Sequence, residues 1–473
     1  MRDNDSHGEP ERSNGSSSDG GLLDGLTRRD ALQMGGIAVG AGLLSGSAVA
    51  TTGNENEPGR RGRGPIPSVY DVTKFGAKGD GDTDDSDAIQ AAIDAAGADG
   101  GGIVYLPAGT FDVDETLTVN DDHVAIVGAG KGTVIRATFE DGDVIYAGGT
   151  EPVDGVRNLT IRDLEITASV EKTTGAALFC EHGQRVLVEN VYAERQGALD
   201  PNLHDAFYFR YFDSCVLSNV FAVCNHASVT IHGKEDQTWG AGFWIVNGSR
   251  LMNGPPNAVP EGSVGFHVGG SCGGIAIEDT DVIANERNLL VDTELSGALN
   301  RELFVNQCWL DRSRGNGVEV GPNGVHLLHF NNTWLASSGH DDPDAGGYPE
   351  ANNLYLDEGF PGRVILNGCR IFNAFGSGVV ARAGQLTVSG CDVFHNGIGP
   401  DGGHGIALLG EVADTTVVGN TITHNGTDEL GEGVRVGEDV DDYVVAANVI
   451  RENATEQLVD EGGPNGETGL NVT

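Results

Sequence analysis

The amino-acid sequence predicts an all-β fold, a single parallel β-helix of about ten coils with an N-terminal capping α-helix. The first observation is that corner asparagines recur 28 or 29 residues apart, as in Asn190, Asn219 and Asn247 and again in Asn420 and Asn448. The second is that alternating β-branched residues precede these corners. A period of this size is typical of one coil of a β-solenoid, whose inward side chains stack from coil to coil.

A second strand of each coil can be aligned separately, and it gives the number of coils. Its pattern is a small residue, an apolar residue, an outward residue and another apolar residue. Nine segments match, with 176–179 as a candidate tenth: 206–209, 228–231, 265–268, 288–291, 317–320, 353–356, 378–381, 405–408 and 433–436. The two longest intervals between them predict loop insertions at 233–262 and 338–352.

The N-terminal part of the repeat region, residues 69–111, predicts a strand, a tight loop, a helix and a second strand in that order. The helix is predicted from Asp84 to Ala96 because its apolar residues recur at helical spacing. Thr83 or Asp84 can cap it, and the glycines at 100–102 end it. We expect its apolar face to seal the N-terminal end of the solenoid core.

Two segments within this region carry a resemblance to a known family. FGAKGDGDTDDSDAIQAAIDAA and GGGIVYLPAGTF resemble the N-terminal entry of the pectate-lyase-like superfamily of right-handed parallel β-helices. This superfamily includes rhamnogalacturonase-like proteins, alginate epimerases and phage tailspikes. The resemblance implies a right-handed β-helix, and it implies little about chemistry because the family uses this segment as a cap and opening coil.

The chain is strongly acidic, with 70 Asp and Glu against 28 Lys and Arg among 473 residues and a formal net charge of −42. The acids are spread along the chain, so we interpret them as the solvated surface of a halophilic protein, where counterions screen self-repulsion. Such a surface repels nucleic acid and anionic membranes at ordinary salt. We therefore expect no nucleic-acid partner.

The first fifty residues are interpreted as a twin-arginine export signal. Arg28 and Arg29 precede an apolar run at 34–44, and residues 48–50 resemble a signal cleavage site. The run is short and rich in glycine, which disfavours a membrane anchor. We expect a secreted protein that is exported folded, with no transmembrane segment after cleavage.

The remaining chain is divided into three parts on the same grounds. Residues 51–67 are predicted to be a flexible linker, 68–455 the β-helix domain and 456–473 an acidic, glycine-rich tail.

The seven cysteines include no CxxC pair, so a zinc knuckle is not supported. We expect buried free thiols in preference to disulfides, because free cysteine is among the most buried residue types.

The candidate site follows from the alternation of the aligned strand, whose third and fifth positions line one outward ribbon. A flat ribbon of this kind suits a polysaccharide, with aromatic faces for stacking and charges for uronate carboxylates. Its central coils collect the base, acid and charge stabiliser of proton-transfer chemistry. The predicted catalytic residues are Tyr208, Arg210, His232, His267, Asp292 and Glu319, and the predicted substrate-binding residues are Trp239, Tyr355, Asp357 and Arg382.

Lyase, epimerase and hydrolase chemistry all stay open on the sequence. Alginate epimerases of the superfamily carry Asp-Pro-His-Glu, whereas here residues 200–201 (Asp-Pro) are followed by Asn202 and Leu203, with His204 and Asp205 at the lip of the same coil. The epimerase residues therefore do not carry over as a set.

Two other resemblances are partial. Residues 403–405 (Gly-His-Gly) and Arg435 resemble parts of the polygalacturonase pattern, but the acid pairs that precede them in that family are missing. A lyase of the superfamily would use a calcium-bridged uronate and a basic residue, for which Arg210 or Arg382 would serve. Calcium is therefore a candidate cofactor, with Asp292, Glu319 and Asp357 as oxygen ligands. The alternative function is a non-catalytic solenoid that holds glycans without altering them.

Overall fold

The computed structural model describes residues 68–194, 202–233, 241–254, 259–291, 302–322, 327–339, 348, 350–427 and 430–473. The predicted export signal and linker lie outside these residues. In the described part of the chain, strands from successive coils pair in parallel and build three faces. The all-β solenoid predicted from the repeats is therefore confirmed.

The first face carries the strand that was aligned from the sequence. Its strands are Leu117–Val119, Ile145–Gly148, Ala176–Glu181, Leu203–Arg210, the second half of Phe221–His232, Val264–Gly269, Arg287–Val291, Val318–Val320, Leu354–Leu356, the first half of Val379–Ser389, Ile406–Val412, Val434–Val436 and Leu458–Asp460.

The other two faces complete each coil. The second face contains Val69–Asp71, Gly102–Tyr105, Val124–Val127, Asp213–Ser218, Ala241–Val246, Gly273–Glu278, Leu303–Asn306, Leu327–Asn331, Arg363–Asn367, the second half of Val379–Ser389, Thr415–Val418, Tyr443–Ala446 and Glu467–Gly469. The third contains Asp80–Asp84, Gly109–Val113, Thr133–Ala137, the first part of Phe221–His232, Arg250–Met252, Asp281–Ile283, Trp309–Asp311, Trp334–Ala336, Arg370–Phe372, Asp392–Phe394, Thr421–Thr423 and Val449–Arg451. Thr160–Ala168 and Leu187–Ala193 bend from the second face to the third.

The number of coils exceeds the prediction. Thirteen first-face strands lie in the described residues, because Leu117–Val119 and Ile145–Gly148 precede the repeats found in the sequence and Leu458–Asp460 follows them. Two of these strands depart from the aligned pattern, since Val144 and Gln457 precede them at the position that a small residue takes in the repeats. The segment predicted as a tail also contains Glu467–Gly469, which pairs with Tyr443–Ala446, so the helix continues past residue 455.

Strand pairing tests the alignment residue by residue. The nine aligned segments pair in the predicted register. The positions that were predicted to point outward therefore do so in the structure. The candidate tenth is wrong by one residue, because Leu178 pairs with Phe207 and Phe179 with Tyr208. A one-residue slip moves every side chain to the opposite face. Phe179 and Glu181 therefore point outward, where the sequence alignment placed neither.

The N-terminal helix spans Ser86–Ala98, two residues later than predicted. Its N-cap residue is Asp85 and not the predicted Thr83 or Asp84, although Asp84 Oδ1 accepts a hydrogen bond from the Ser86 amide at 3.1 Å. Ile89 and Ile93 are buried and belong to the hydrophobic core. Gly100 and Gly101 have positive φ and reverse the chain direction after the helix. The helix therefore covers the apolar end of the first coils. No helix in the described part of the chain is long and apolar enough to cross a membrane.

A buried corner between the second and third faces carries a ladder of polar side chains. Cys391 donates its amide to Asn420 Oδ1 at 2.8 Å, Asn420 to Asn448 Oδ1 at 3.0 Å, and Asn448 to Asn471 Oδ1 at 3.0 Å. Asn420 and Asn448 are buried and lie one position after the positive-φ residue of their corner, whereas Asn190 is itself the positive-φ residue of its corner. Each side chain satisfies a backbone amide that the bend leaves without a strand partner.

The seven cysteines are all free and buried, as predicted. Cys308, Cys369 and Cys391 occupy the same corner position in their coils, where each thiol lies within hydrogen-bond distance of backbone carbonyls. They fill the core and link no segments covalently.

The capping role of the helix can be tested by charge insertion. Ile89→Asp with Ile93→Asp should lower the free energy of unfolding by more than about 4 kcal/mol, because it removes two buried side chains and buries two carboxylates. Urea unfolding followed by circular dichroism measures the change. Ala91→Asp is the matched control, since Ala91 lies on the exposed face of the same helix, and equal stability of all variants would contradict the cap.

Candidate active site

The first face brings four of the predicted catalytic residues together on three consecutive strands. Tyr208 pairs with Thr230, which pairs with His267, so these three side chains form one outward column. Arg210 pairs with His232 in a second column two residues further along the strands. Neighbouring strands are ~4.8 Å apart, so the four side chains lie within a small area of the face.

Arg210 is held by an acidic partner that the sequence alignment did not place. Its Nε and Nη2 atoms lie 2.9 and 2.6 Å from Glu181 Oε1, and the Glu181 side chain is only 3% exposed. Tyr146 donates to the second oxygen of Glu181 at 3.0 Å. The positive charge of Arg210 is therefore compensated within the protein.

Aromatic rings extend the first column toward the N-terminal cap. Phe179 and Tyr208 are stacked with centroids 4.8 Å apart, and Tyr146 meets Phe179 edge-on at 5.5 Å. Tyr146 also lines an open cavity of about 770 Å³ together with His123 and Arg157. The row of rings therefore extends from Tyr208 to this cavity.

Burial sets the protonation states of the two residues at the centre of the column. Burial, with smaller contributions from the charges of His232 and His226, lowers the pKa of His267 to about 4 against the opposing effect of Asp205. Burial also raises the pKa of Tyr208, against the opposing effect of Arg210. At neutral pH His267 is therefore an uncharged imidazole and Tyr208 a protonated phenol.

A second cluster lies at the start of the same strands. The Nδ1 atoms of His226 and His204 lie 2.8 and 3.4 Å from Asp205 Oδ1, and the two rings are stacked 4.8 Å apart. The Ala227 amide donates to the same oxygen at 2.9 Å. Burial alone would raise the pKa of Asp205, but the hydrogen bonds from the two histidines outweigh it and hold the pKa below its ordinary value.

His226 was missed in the sequence, although a signal was present. His204 and His226 each stand two residues before the first residue of an aligned segment, and their 22-residue spacing equals that of Ala206 and Ser228. Extending the aligned pattern by two residues would have paired them.

Lys172 was also missed, and no spacing in the sequence indicates it. It is buried with its Nζ 3.1 Å from the Phe139 carbonyl, and burial lowers its pKa to about 8.

The remaining predicted residues fall into a separate group further along the face. Glu319 lies two strands beyond His267 and accepts a hydrogen bond from Arg287 Nε at 2.9 Å. Tyr355 is on the next strand. Asp357 accepts from the Tyr355 hydroxyl at 3.4 Å, and Arg382 lies 3.7 Å from Glu358. Asp292 and Trp239 lie outside the described residues.

The segment that resembles part of the polygalacturonase pattern has structural contacts. His404 Nδ1 lies 2.5 Å from Glu432 Oε2, and both side chains are about one-tenth exposed. A side chain at Gly405 would meet the Gly433 carbonyl oxygen at 2.5 Å, so close stacking of coils accounts for that glycine. Arg435 is tied to Glu461 at 2.8 Å.

The neutral state of His267 predicts a pH dependence of stability. The unfolded chain takes up a proton near pH 6.5 and the native state only near pH 4, so stability should fall as pH drops through this window. Between pH 7 and pH 4.5 the free energy of unfolding of the wild-type protein should fall by up to about 3 kcal/mol more than that of His267→Gln. Urea unfolding at pH 7 and at pH 4.5 measures it. An equal pH dependence in both proteins would show that His267 titrates normally.

Comparison with known proteins connects this geometry to characterised families. The model of the family described as rhamnogalacturonase A/epimerase, pectate lyase-like, matches residues 69–149. Alginate lyase 7 of Azotobacter vinelandii is 42% identical over 114 residues, 22% of this chain and 13% of the relative. Mannuronan C5-epimerase AlgE6 of the same organism is 40% identical over 139 residues, 27% of this chain and 16% of the relative. The matches therefore span a small part of the length of these relatives.

Solved structures extend the similarity over most of the chain. The A-module of the A. vinelandii epimerase AlgE6 superposes with a TM-score of 0.52 at 20% identity, covering 85% of this chain and 98% of the module. Tailspike protein 3 of bacteriophage CBA120 superposes with a TM-score of 0.62 at 14% identity, covering 85% of this chain and 61% of the tailspike. At these identities the superpositions establish the fold. The predicted resemblance is thus confirmed: the chain has the fold of a right-handed parallel β-helix, and its opening coils at residues 69–149 match the rhamnogalacturonase A/epimerase, pectate lyase-like family model.

Proposed function

We propose that the chain is an enzyme that acts on a uronate-containing polysaccharide by removing the proton at C5 of the sugar, as a lyase or as a C5-epimerase. The relatives named alginate lyase and mannuronan C5-epimerase support this class of reaction. The geometry of the first face supports it independently.

One observation carries the proposal. Tyr208 and His267 lie on the same outward column with Thr230 between them, two strand spacings or ~10 Å apart. A sugar ring above Thr230 would have one of these side chains on each side. Because one is a neutral imidazole and the other a protonated phenol, the pair offers a proton acceptor facing a proton donor.

The roles follow from the chemistry of a uronate. The carboxylate group acidifies the C5 proton, which His267 takes up. In a lyase the electron pair left on C5 forms the C4–C5 double bond, the bond to the C4 oxygen breaks, and Tyr208 protonates that oxygen. In an epimerase Tyr208 returns a proton to C5 from the opposite side of the ring. Both outcomes use the same two groups, so substrate orientation would decide between them.

The aromatic row provides a binding surface next to this pair. A sugar chain can contact the Phe179 and Tyr146 rings and continue toward the cavity beside Arg157. Inverting hydrolysis is supported less, because it needs two free carboxylates flanking the bond. Glu319 is hydrogen-bonded to Arg287 and lies two strands from His267.

Variants of the proposed pair test the reaction. His267→Gln and Tyr208→Phe should each lower turnover of polymannuronate or a related polyuronate by at least about 100-fold, because each removes one proton-transfer group. Ultraviolet absorbance of unsaturated ends reports lyase activity, and deuterium incorporation at C5 in heavy water reports epimerisation.

The controls make the same chemical changes elsewhere. His424→Gln and Tyr192→Phe alter residues on the third face and should keep wild-type turnover. Wild-type protein that binds polyuronates without either product would support the glycan-binding alternative. Turnover that survives both active-site changes would refute the assigned roles.

We also propose that the protein works outside the cell, after export through the signal in residues 1–50. Arg28→Lys combined with Arg29→Lys should leave the full-length chain in the cytoplasm, because twin-arginine signals depend on this pair. Immunoblots of cell and medium fractions measure the distribution, with Arg12→Lys as the control. Normal appearance of the double variant in the medium would contradict this route.

A further inference from the structure

We propose that His204, Asp205 and His226 form a binding site for one divalent transition-metal ion at the edge of the proposed active site. Among the described residues, these three are the group of His, Cys, Asp or Glu side chains whose ligand atoms all lie within 4.8 Å of one another. They come from two adjacent strands, Leu203–Arg210 and Phe221–His232.

The geometry directs the donor atoms at one point. Both histidine Nδ1 atoms are directed at the same oxygen, Asp205 Oδ1, at 2.8 and 3.4 Å, and the rings are nearly parallel at 28°. An ion between the three atoms would replace these two contacts. Small movements of the rings would bring the nitrogens to the ~2.0–2.1 Å distance of zinc–imidazole bonds.

Neighbouring groups hold the ligands in place. The Ala227 amide donates to Asp205 Oδ1 at 2.9 Å, which fixes the carboxylate. The two strand starts are joined by a hydrogen bond from Asn202 Nδ2 to Asn225 Oδ1 at 3.0 Å, beside His204 and His226. Such outer contacts orient metal ligands and preserve their geometry.

The donor set selects the class of metal. Two imidazoles and one carboxylate suit Zn²⁺, Co²⁺, Ni²⁺ or Fe²⁺, whereas Ca²⁺ takes six to eight oxygen ligands. Three protein ligands leave a coordination position open. The His226 side chain is 52% exposed, so this position would face the groove. The predicted calcium ligands do not form a comparable group in the described residues, since Glu319 is bonded to Arg287.

The ion would add positive charge beside the proposed catalytic pair. Removal of the C5 proton requires neutralisation of the uronate carboxylate. Arg210, the cation beside the proposed catalytic pair, is already compensated by Glu181. With neutral histidines the three ligands carry one negative charge, and a divalent ion makes the site positive. This role rests on the proposed function, whereas the binding site itself does not.

Metal titration of the chelator-treated, folded full-length protein tests the site. Isothermal titration with Zn²⁺ and visible absorption with Co²⁺ should both saturate at one ion per chain. His226→Ala and His204→Ala should each weaken binding by more than about 100-fold, because each removes a ligand. His424→Ala is the matched control, since His424 is 51% exposed beside Glu452 and should leave binding unchanged.

The outcomes separate the site from the reaction. No saturable binding, or binding that both histidine variants leave intact, would overturn the site even if polyuronates are converted. Binding that depends on both histidines in a protein that leaves every polyuronate unchanged would support the site and refute the proposed function.

Discussion

The structure depends on satisfying the backbone amides at each bend of the coil. Along the faces the parallel strands pair with the coils above and below, but a corner interrupts this ladder. A buried amide without a partner costs about 1–3 kcal/mol. At one corner the chain solves this with side chains from the next coil, where Asn420, Asn448 and Asn471 accept amide hydrogen bonds in series. The geometry repeats only if successive coils keep the same register.

That register is what builds the candidate site. Tyr208, Thr230 and His267 are separated in sequence by 22 and 37 residues, yet they form one column because loops of unequal length leave the strands aligned. Loops can therefore change without moving the groove floor. The charged pair in the neighbouring column follows the same rule, since Arg210 meets Glu181 on the strand immediately before it.

Sequence periodicity predicted the first-face strands from Ala206 to Val436 because each presents two buried apolar residues around an outward one. It missed the strands at both ends, two of which lack the small first residue of the pattern. The alignment that began a repeat at Ala176 was shifted by one residue, which exchanges inward and outward positions. It therefore did not predict that Glu181 points outward beside Arg210. The sequence also could not show that Glu319 is neutralised by Arg287, because their contact is set by side-chain direction across two strands. His226 was accessible to sequence reasoning through its spacing from His204.

The buried cysteines have a consequence for where the chain can fold. All seven are free, and burial raises the pKa of the thiols of Cys180, Cys215, Cys224, Cys272 and Cys308, so little thiolate forms. Thiolate is the species that exchanges with disulfides and reacts with oxidants. These five thiols are therefore expected to stay reduced in a reducing or an oxidising compartment alike, so their part of the core folds without disulfide formation.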